Sequence, residues 1–396
     1  MKLLVLTSTL PGKHNETDPR FVLDLCLNLS RQGMEIDILT PHVNDQPLQE
    51  NISGITIYRY RYFFSGFEKL TSGNGILPNL KKHKAYYFLV PFFLFGQVIA
   101  AYKLIKKNNY DFVHAHWLIP QGLIASLLKI APFIQCPPVL CTIHGSDIVK
   151  LDTYVLNIFK RWIIENVDAI TLVSKSLQYY LDQLGANHNN IQVCPMGVDL
   201  KGCFTIQKKP EERNPLSLIF VGRLIHQKGI LELIEVIRDL YKNYPKIELN
   251  IIGEGDLSER INNYIKEEGL EKNIILHGAK TPQQVAQLLN QSSIFVMPST
   301  INEGFGLVTI EAMGCGCAVL ASDLPSSREI IQHETNGLLF KPSDMTDMAR
   351  QVERLILNNN LKEQIVTQAR QSAVEQYDWT AISSKYFSYI TDLYSK

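Results

Sequence analysis

Charge of one sign is what this sequence most plainly lacks. Its 396 residues carry 39 Lys and Arg against 39 Asp and Glu, so no global electrostatic footprint for nucleic acid exists. A cysteine framework is missing too. The seven cysteines are odd in number and irregularly spaced, and Cys315 and Cys317 stand two apart rather than at the three-residue offset of a redox or zinc pair. That excludes a disulfide-stapled scaffold and leaves reduced thiols in a cytosolic protein as the expectation. No low-complexity tract or short-period repeat occurs, which removes solenoids and propellers. The apolar start stops at Thr7, short of the roughly 7 to 15 apolar residues a signal peptide needs, and reads as a first β-strand. Gly253-Glu254-Gly255 lacks the third glycine of a dinucleotide fingerprint, which counts against a nicotinamide-dependent oxidoreductase.

What is present is a repeated strand–helix pattern. Hydrophobic content of 45% and charged content of 20% suit a soluble globular protein, and the length calls for two domains. Strands are expected over 2–8, 35–39, 55–60, 111–116, 139–144, 169–174 and 191–195, with a helix over 21–29 stopped by Gly33. The pattern restarts with strands over 216–221, 248–252, 274–277, 294–297 and 318–321 and a helix over 229–240. Repeated units of this length predict an α/β fold of two Rossmann-like, doubly wound parallel-sheet domains facing across a cleft. The seam is placed over 199–215, where Gln207, Lys208, Lys209, Glu211, Glu212 and Arg213 with Pro210 and Pro215 read as a linker. The domains are therefore 1–199 and 200–377, followed by a C-terminal helix over 378–396 that packs back toward the first.

Chemistry concentrates at predicted strand ends. Glu303-Gly304-Phe305-Gly306-Leu307-Val308-Thr309-Ile310-Glu311 follows the apolar run 293–298. That order of strand, glycine loop and helix puts a helix N-terminus, which favours anions, at the carboxyl end of a sheet. Ionised carboxylates only accept hydrogen bonds, so Glu303 and Glu311 suit vicinal hydroxyls. Gly222-Arg223 and Lys228-Gly229 follow the strand 216–221. A guanidinium fork and a compact ammonium past a strand terminus suit a diphosphate. In the first half, His144 ends a strand before Gly145-Ser146-Asp147. His114 and His116 share one face of another strand, ahead of Trp117. Two imidazoles suggest a metal, but no third ligand is evident, and a cleft-lining or acceptor role is favoured.

Set beside Gly253-Glu254-Gly255, Pro298-Ser299, Asn336-Gly337-Leu338 and Met196-Gly197-Val198-Asp199, these motifs resemble those of the family 4 glycosyltransferases of GT-B architecture. The resemblance is carried by roughly the second half of the chain. It implies a retaining transfer of a hexosyl unit from a UDP- or GDP-sugar to a saccharide or lipid-linked acceptor, in cell-surface polysaccharide or glycolipid synthesis. It assigns the diphosphate to Arg223 and Lys228, the ribose to Glu311, and the donor sugar to Glu303 and the Phe305–Leu307 backbone. His277-Gly278 falls beside the nucleobase and His144 near the reaction centre. The catalytic set is then Arg223, Lys228, His144 and Glu303. Donor binding adds Gly12, Gly222, Gly253, Glu254, His277, Gly278, Gly304, Phe305, Gly306, Leu307, Val308 and Glu311. His14, His114, His116, Trp117, Ser146 and Asp147 fall on the acceptor side. No metal or other cofactor is expected. Two departures stand out. The loop 9–21 carries one glycine, Gly12, where the family often has two, and Pro325-Ser326-Ser327 replaces small glycines before Glu329. The serines there are neutral or add a hydrogen bond.

One segment breaks the charge balance. Between Arg59 and Lys107 nine Lys and Arg meet a single acid, Glu68. Within it the run 86–95 is apolar yet too short and interrupted for a membrane span. It reads either as a core helix or as a face pressed on anionic lipid. The expected location is cytoplasmic, with peripheral attachment to the inner face of the cell membrane under the second reading. Two rival functions stay open: a glycoside hydrolase using Glu303 and Glu311, and a non-catalytic nucleotide-sugar-binding protein.

Overall fold

A computed structural model describes residues 1–11, 19–43, 46–71, 75–149, 152–186 and 188–395. The chain divides into two compact units, Met1–Met196 with Ile382–Lys396, and Gly197–Ala381.

The first unit is built on eight strands: β1 (Lys2–Leu6), β2 (Glu35–Pro41), β3 (Gln49–Ile52), β4 (Ile55–Tyr60), β5 (Phe112–His116), β6 (Val139–Ile143), β7 (Ala169–Leu172) and β8 (Ile191–Val193). They lie in the order β3-β4-β2-β1-β5-β6-β7-β8. All neighbours are parallel except β3, which runs antiparallel to β4. That hairpin is not foreseen by the sequence pattern. Gln49-Glu50-Asn51 carries no apolar alternation, and the turn is made by Ser53 and Gly54, both at positive φ, as the twist of a two-residue hairpin requires. β1 is walled in on both faces, with Leu3 to Leu6 wholly buried. The C-terminal helix Trp379–Tyr394 buries Ile382, Tyr386 and Ile390 at four-residue intervals. It is fastened to the first unit by Tyr386 Oη donating to Cys194 O (2.9 Å) and Tyr389 Oη donating to Asn190 O (3.0 Å).

The helix Leu89–Lys107 belongs to this unit and has two characters. Leu89, Phe93, Gln97, Ala101 and Ile105 recur every four residues and are buried where the helix packs on β2 and β4. The opposite face exposes Phe92, Phe95 and Ile99. With the preceding turn, Lys84–Lys107 is long and apolar enough to cross a membrane on length and composition, although the run 86–95 alone reads as too short. Its buried stripe is that of a sheet-covering helix in the fold.

The second unit holds β9 (Ser217–Val221), β10 (Glu248–Ile252), β11 (Ile274–Gly278), β12 (Ile294–Met297), β13 (Ala318–Ser322) and β14 (Leu338–Phe340), ordered β11-β10-β9-β12-β13-β14 and all parallel. In both sheets the chain winds outward from a central strand, β1 or β9, first to one side and then to the other. That reversal opens a crevice at the carboxyl ends of β1 and β5, and again at β9 and β12, where open sheets take ligands.

The segment read as a linker is a docked part of the second unit. Arg213 is buried, and its guanidinium donates to five backbone carbonyls, those of Lys208, Leu289, Ser292, Cys315 and Gly316. Polar composition suggested exposure, but a planar five-donor head can be solvated by carbonyls alone. Removing it leaves those carbonyls bare. Arg213→Met is therefore expected to destabilise the protein by about 3 kcal/mol, with Arg213→Lys recovering only part because three donors replace five. Urea denaturation of the full chain checks this, and an unchanged midpoint would refute it.

Candidate functional site

In the second unit every strand ends at the same edge, and the motifs collect there. The loop after β9 and the loop after β12 meet at three points. Gly229 sits at φ +65°, and a Cβ placed on it would stand 1.8 Å from Pro298 O, so only glycine permits the approach. Thr300 N donates to Gln227 O (2.9 Å). Lys228 Nζ pairs with Glu303 Oε2 at 2.7 Å, both side chains largely shielded. The second carboxylate oxygen of Glu303 accepts from Ser299 Oγ. Its backbone N–H donates to Ser326 Oγ (3.3 Å), and Ser326 N–H in turn donates to Asn302 Oδ1 (2.9 Å). Lys228 and Glu303, 75 residues apart, thus share one fixed locus at the reversal point of the sheet.

Beside them begins the helix Leu307–Gly314, whose N-cap Gly306 is left-handed (φ +96°) and offers no side-chain cap. Its first N–H groups point out of the helix with the positive end of the peptide dipoles, which suits an anion. Phe305 turns its ring inward against Tyr377 (centroids 5.6 Å apart), so only its backbone faces the edge. Glu311 lies one turn along the helix. Burial raises its pKa to about 7, and it is partly protonated at neutral pH. Arg223 is exposed and has no acceptor among the described residues. Gly253 packs on the same loop: at φ +132°, a Cβ there would lie 1.9 Å from Gly222 O. The glycines after β9 and β10 therefore let two loops touch. Farther along, His277 Nε2 donates to Asn250 Oδ1 (2.8 Å), and Ala279 N donates to Glu254 Oε1 (3.4 Å) beside Gly278. Burial, then nearby Lys280, lowers the His277 pKa, leaving a neutral ring.

The first unit assembles a different kind of edge. His114 and His116 stack at 4.2 Å, and His116 lies 5.3 Å from His144. His144 also meets Trp117 (4.8 Å) and Phe21 (5.2 Å). Burial lowers the pKa of His114 and His144 to about 3, and burial together with the two neighbouring rings lowers that of His116 further. All three are neutral near pH 7. The tautomers follow from the contacts. His116 Nδ1 lies 3.0 Å from His144 Nε2, while His116 Nε2 is buried with no partner. A bare buried lone pair costs less than a bare buried N–H, so His116 carries its proton on Nδ1 and donates it. His144 then holds its own proton on Nδ1 and is a neutral donor there.

This geometry revises several expectations. His114 is withdrawn from the surface and bonded to Thr142 Oγ1 (2.7 Å). Period-two alternation puts both histidines on one face but cannot say that the face is covered. His116 is wholly buried, so it acts on His144 rather than on an acceptor. Asp147 is buried as well, and its Oδ2 accepts from Leu118 N (2.7 Å) and His144 N (3.4 Å), which makes it a brace for the two turns. Ser146 is exposed, and Trp117 is half-buried at φ +76°, a strained backbone held at the carboxyl end of β5. Gly12 and His14 lie outside the described residues. Sequence reasoning missed Phe21, Asn250 and Asn302, none of which stands in a recognisable motif. Among the described residues no cluster of three or more potential metal ligands occurs.

Comparison with known proteins bears on the family and the fold. The family described as Glycosyltransferase Family 4 matches residues 19–201, and that described as Glycosyl transferases group 1 matches residues 204–372. A glycosyltransferase of Methanocaldococcus jannaschii is 30% identical over 76% of this chain and 80% of its own length. N-acetyl-alpha-D-glucosaminyl L-malate synthase of Bacillus anthracis is 27% identical over 80% and 86% of the two chains. Among solved structures, sucrose-phosphate synthase from Thermosynechococcus elongatus superposes with a TM-score of 0.78 at 20% identity, covering 100% of this chain and 99% of that one. Anabaena HepE in complex with UDP gives 0.70 at 17% identity, covering 99% of each. On these similarities and its two parallel-sheet units, the chain belongs to the family 4 glycosyltransferases and has the GT-B fold.

Proposed function

We propose that this transferase moves a hexosyl unit, with retention of configuration, from a UDP- or GDP-sugar to a saccharide or lipid-linked acceptor in cell-surface polysaccharide or glycolipid synthesis. The reaction takes place in the cytoplasm, at the inner face of the membrane. The observation that carries the reading is the Lys228–Glu303 pair at the reversal point of the second sheet, next to an uncapped helix N-terminus. A diphosphate is held by Lys228, Arg223 and the first amides of the Leu307–Gly314 helix. Lys228 has three donors and gives one to Glu303, so phosphate oxygens can take the others while the pair persists. Glu303 and the 304–307 backbone take the sugar hydroxyls, and Glu311 takes the ribose diol. That HepE was solved with UDP is in keeping with a uridine donor.

The leaving phosphate takes the acceptor hydroxyl's proton on the face it departs from, through an oxocarbenium-like transition state. Charge gathers on that phosphate as the glycosidic C–O bond breaks, and Arg223, Lys228 and the helix amides stabilise it. These groups supply the positive charge, so the reading requires no metal, and turnover in the presence of a chelator should be undiminished. The role implied for His144, contact with the transferred sugar, asks for a neutral N–H donor, and the His116 contact provides one. A hydrolase reading leaves Arg223 and Lys228 without a task.

A thermal-shift screen of UDP-, GDP- and ADP-sugars tests the donor class, since only a nucleotide that binds the folded state stabilises it. No shift with any of them would sink the reading. Lys228→Ala should lower kcat about 10²- to 10³-fold with little loss of melting temperature, measured as nucleoside diphosphate released from the donor that binds. Glu311 predicts a pH dependence of its own. The diol needs the carboxylate, and in the free protein that group titrates at about 7. Affinity for a nucleotide sugar should therefore rise about tenfold between pH 6 and pH 8, and Glu311→Gln should bind weakly at both. Calorimetry across that range decides it, a flat profile excluding the ribose role.

A further inference from the structure

The first unit displays apolar surface that its own core does not use. Phe63 is the hub of a cluster in which its ring meets Phe64 (5.2 Å), Phe67 (6.4 Å), Phe88 (6.3 Å) and Phe92 (5.3 Å), and Phe88 meets Phe92 (5.2 Å). Most of this cluster is open to solvent: Phe64 is 75% exposed, Phe67 65% and Phe88 65%, with Phe95 at 66% on the next turn of the helix. Isolated exposed phenylalanines need no explanation, but a contiguous group of this size does.

The cluster is held in place. Glu68 is buried beneath it and accepts from Tyr62 N (2.9 Å) and from Phe63 N (3.5 Å), while its other oxygen meets His42 Nδ1 at 2.6 Å. Leu70 N donates to Tyr62 Oη (3.0 Å), which closes the loop at its base. Gly96 brings the Leu89–Lys107 helix against the same strand exit, where a Cβ would lie 3.2 to 3.3 Å from Tyr60, Arg61 and Tyr62. The phenylalanines therefore project from a fixed base.

Charge identifies what covers them. Arg61, Lys81, Lys82 and Lys84 are exposed around the cluster in sequence, and none forms an ion pair among the described residues. The segment's one acid, Glu68, is turned inward. A protruding aromatic tip with unpaired cations beside it matches an anionic bilayer, whose interface takes aromatic side chains and whose headgroups attract Lys and Arg.

Position extends the argument. β4, β5 and β6 all run parallel to one another within the sheet. Phe63 follows the end of β4 by three residues, while His116 ends β5 and His144 follows β6. The cluster and the His144 turn thus share the carboxyl edge of one sheet. We propose that the Phe63-centred cluster inserts into an anionic membrane and holds the His144 edge at headgroup depth, so that the acceptor is lipid-linked. The lipid-linked acceptor rests on the transferase reading above. The membrane contact does not.

The test uses the full-length chain and vesicles of phosphatidylcholine with or without 30 mol% phosphatidylglycerol, a fraction chosen on the order of natural anionic-lipid content. Wild type should sediment with the anionic vesicles at low salt and be released as salt rises. Phe64→Ser with Phe88→Ser should weaken that binding at least tenfold, as should Lys81→Gln with Lys82→Gln and Lys84→Gln. Both variants should keep the wild-type melting temperature and the thermal shift with the nucleotide sugar. Equal sedimentation of wild type with both vesicle types overturns the proposal. So does a phenylalanine variant that binds vesicles like wild type, or one whose only change is the loss of a wild-type dimer in size-exclusion chromatography. Vesicle binding without any nucleotide shift would instead sink the donor reading and leave the membrane contact standing.

Discussion

The second unit's candidate site depends on one ion pair being both made and held. Lys228 and Glu303 come from loops on either side of the sheet's reversal point, and nothing in their own side chains would keep two such flexible groups together. An exposed pair of this kind is worth under about 1 kcal/mol. Here the backbone does the positioning: Gly229 lets the first loop sit on Pro298 O, and Thr300 N closes on Gln227 O. Ser299 and Ser326 then occupy the remaining oxygen and the amide of Glu303. The ammonium and the carboxylate reach each other with little left to order. A preorganised cation costs no rearrangement when charge develops on a bound phosphate.

The two units place their polar groups by opposite means. The second gathers ionisable side chains at its sheet edge, Lys228 paired with Glu303 and Arg223 exposed beside them. The first gathers imidazoles and strips them of charge: burial holds His114 and His144 far below the ordinary histidine range. A neutral ring donates one hydrogen bond in a direction fixed by His116, and hydroxyl-rich sugar is better matched by direction than by charge.

The sheets were legible because parallel strands buried on both faces read as unbroken apolar runs, as in β9 and β12. The motifs of the candidate site were legible because Gly229, Lys228 and Glu303 stand in loops that follow such strands. What escaped had no sequence signal of its own. β3 is a polar edge strand, and Arg213 lies in a segment whose composition points to solvent while its head group is solvated by carbonyls from distant parts of the chain. The same limit applies to His114 and His116: alternation shows which face they share, and only the packing of the sheet shows that the face is closed.

The Leu89–Lys107 helix meets the core-helix reading of the sequence on one face only and leaves the other face uncovered. A helix that buried its whole circumference would need partners on every side, and one that crossed a bilayer would surrender its contacts with β2 and β4. This helix spends the Leu89, Phe93, Gln97, Ala101 and Ile105 stripe on the sheet and leaves Phe92, Phe95 and Ile99 uncovered. Four-residue spacing carries the core face, and intervening aromatics carry the outer one, so the summed hydropathy resembles a span although each face alone does not. An uncovered apolar face in water favours aggregation unless like charges oppose it. The cations of the same segment, whose one acid, Glu68, is buried, are of the kind that oppose it through mutual repulsion. On the proposal of a membrane contact, the same charges would cease to repel one another on meeting a negative surface, and repulsion in water and attraction at the bilayer would come from one set of side chains.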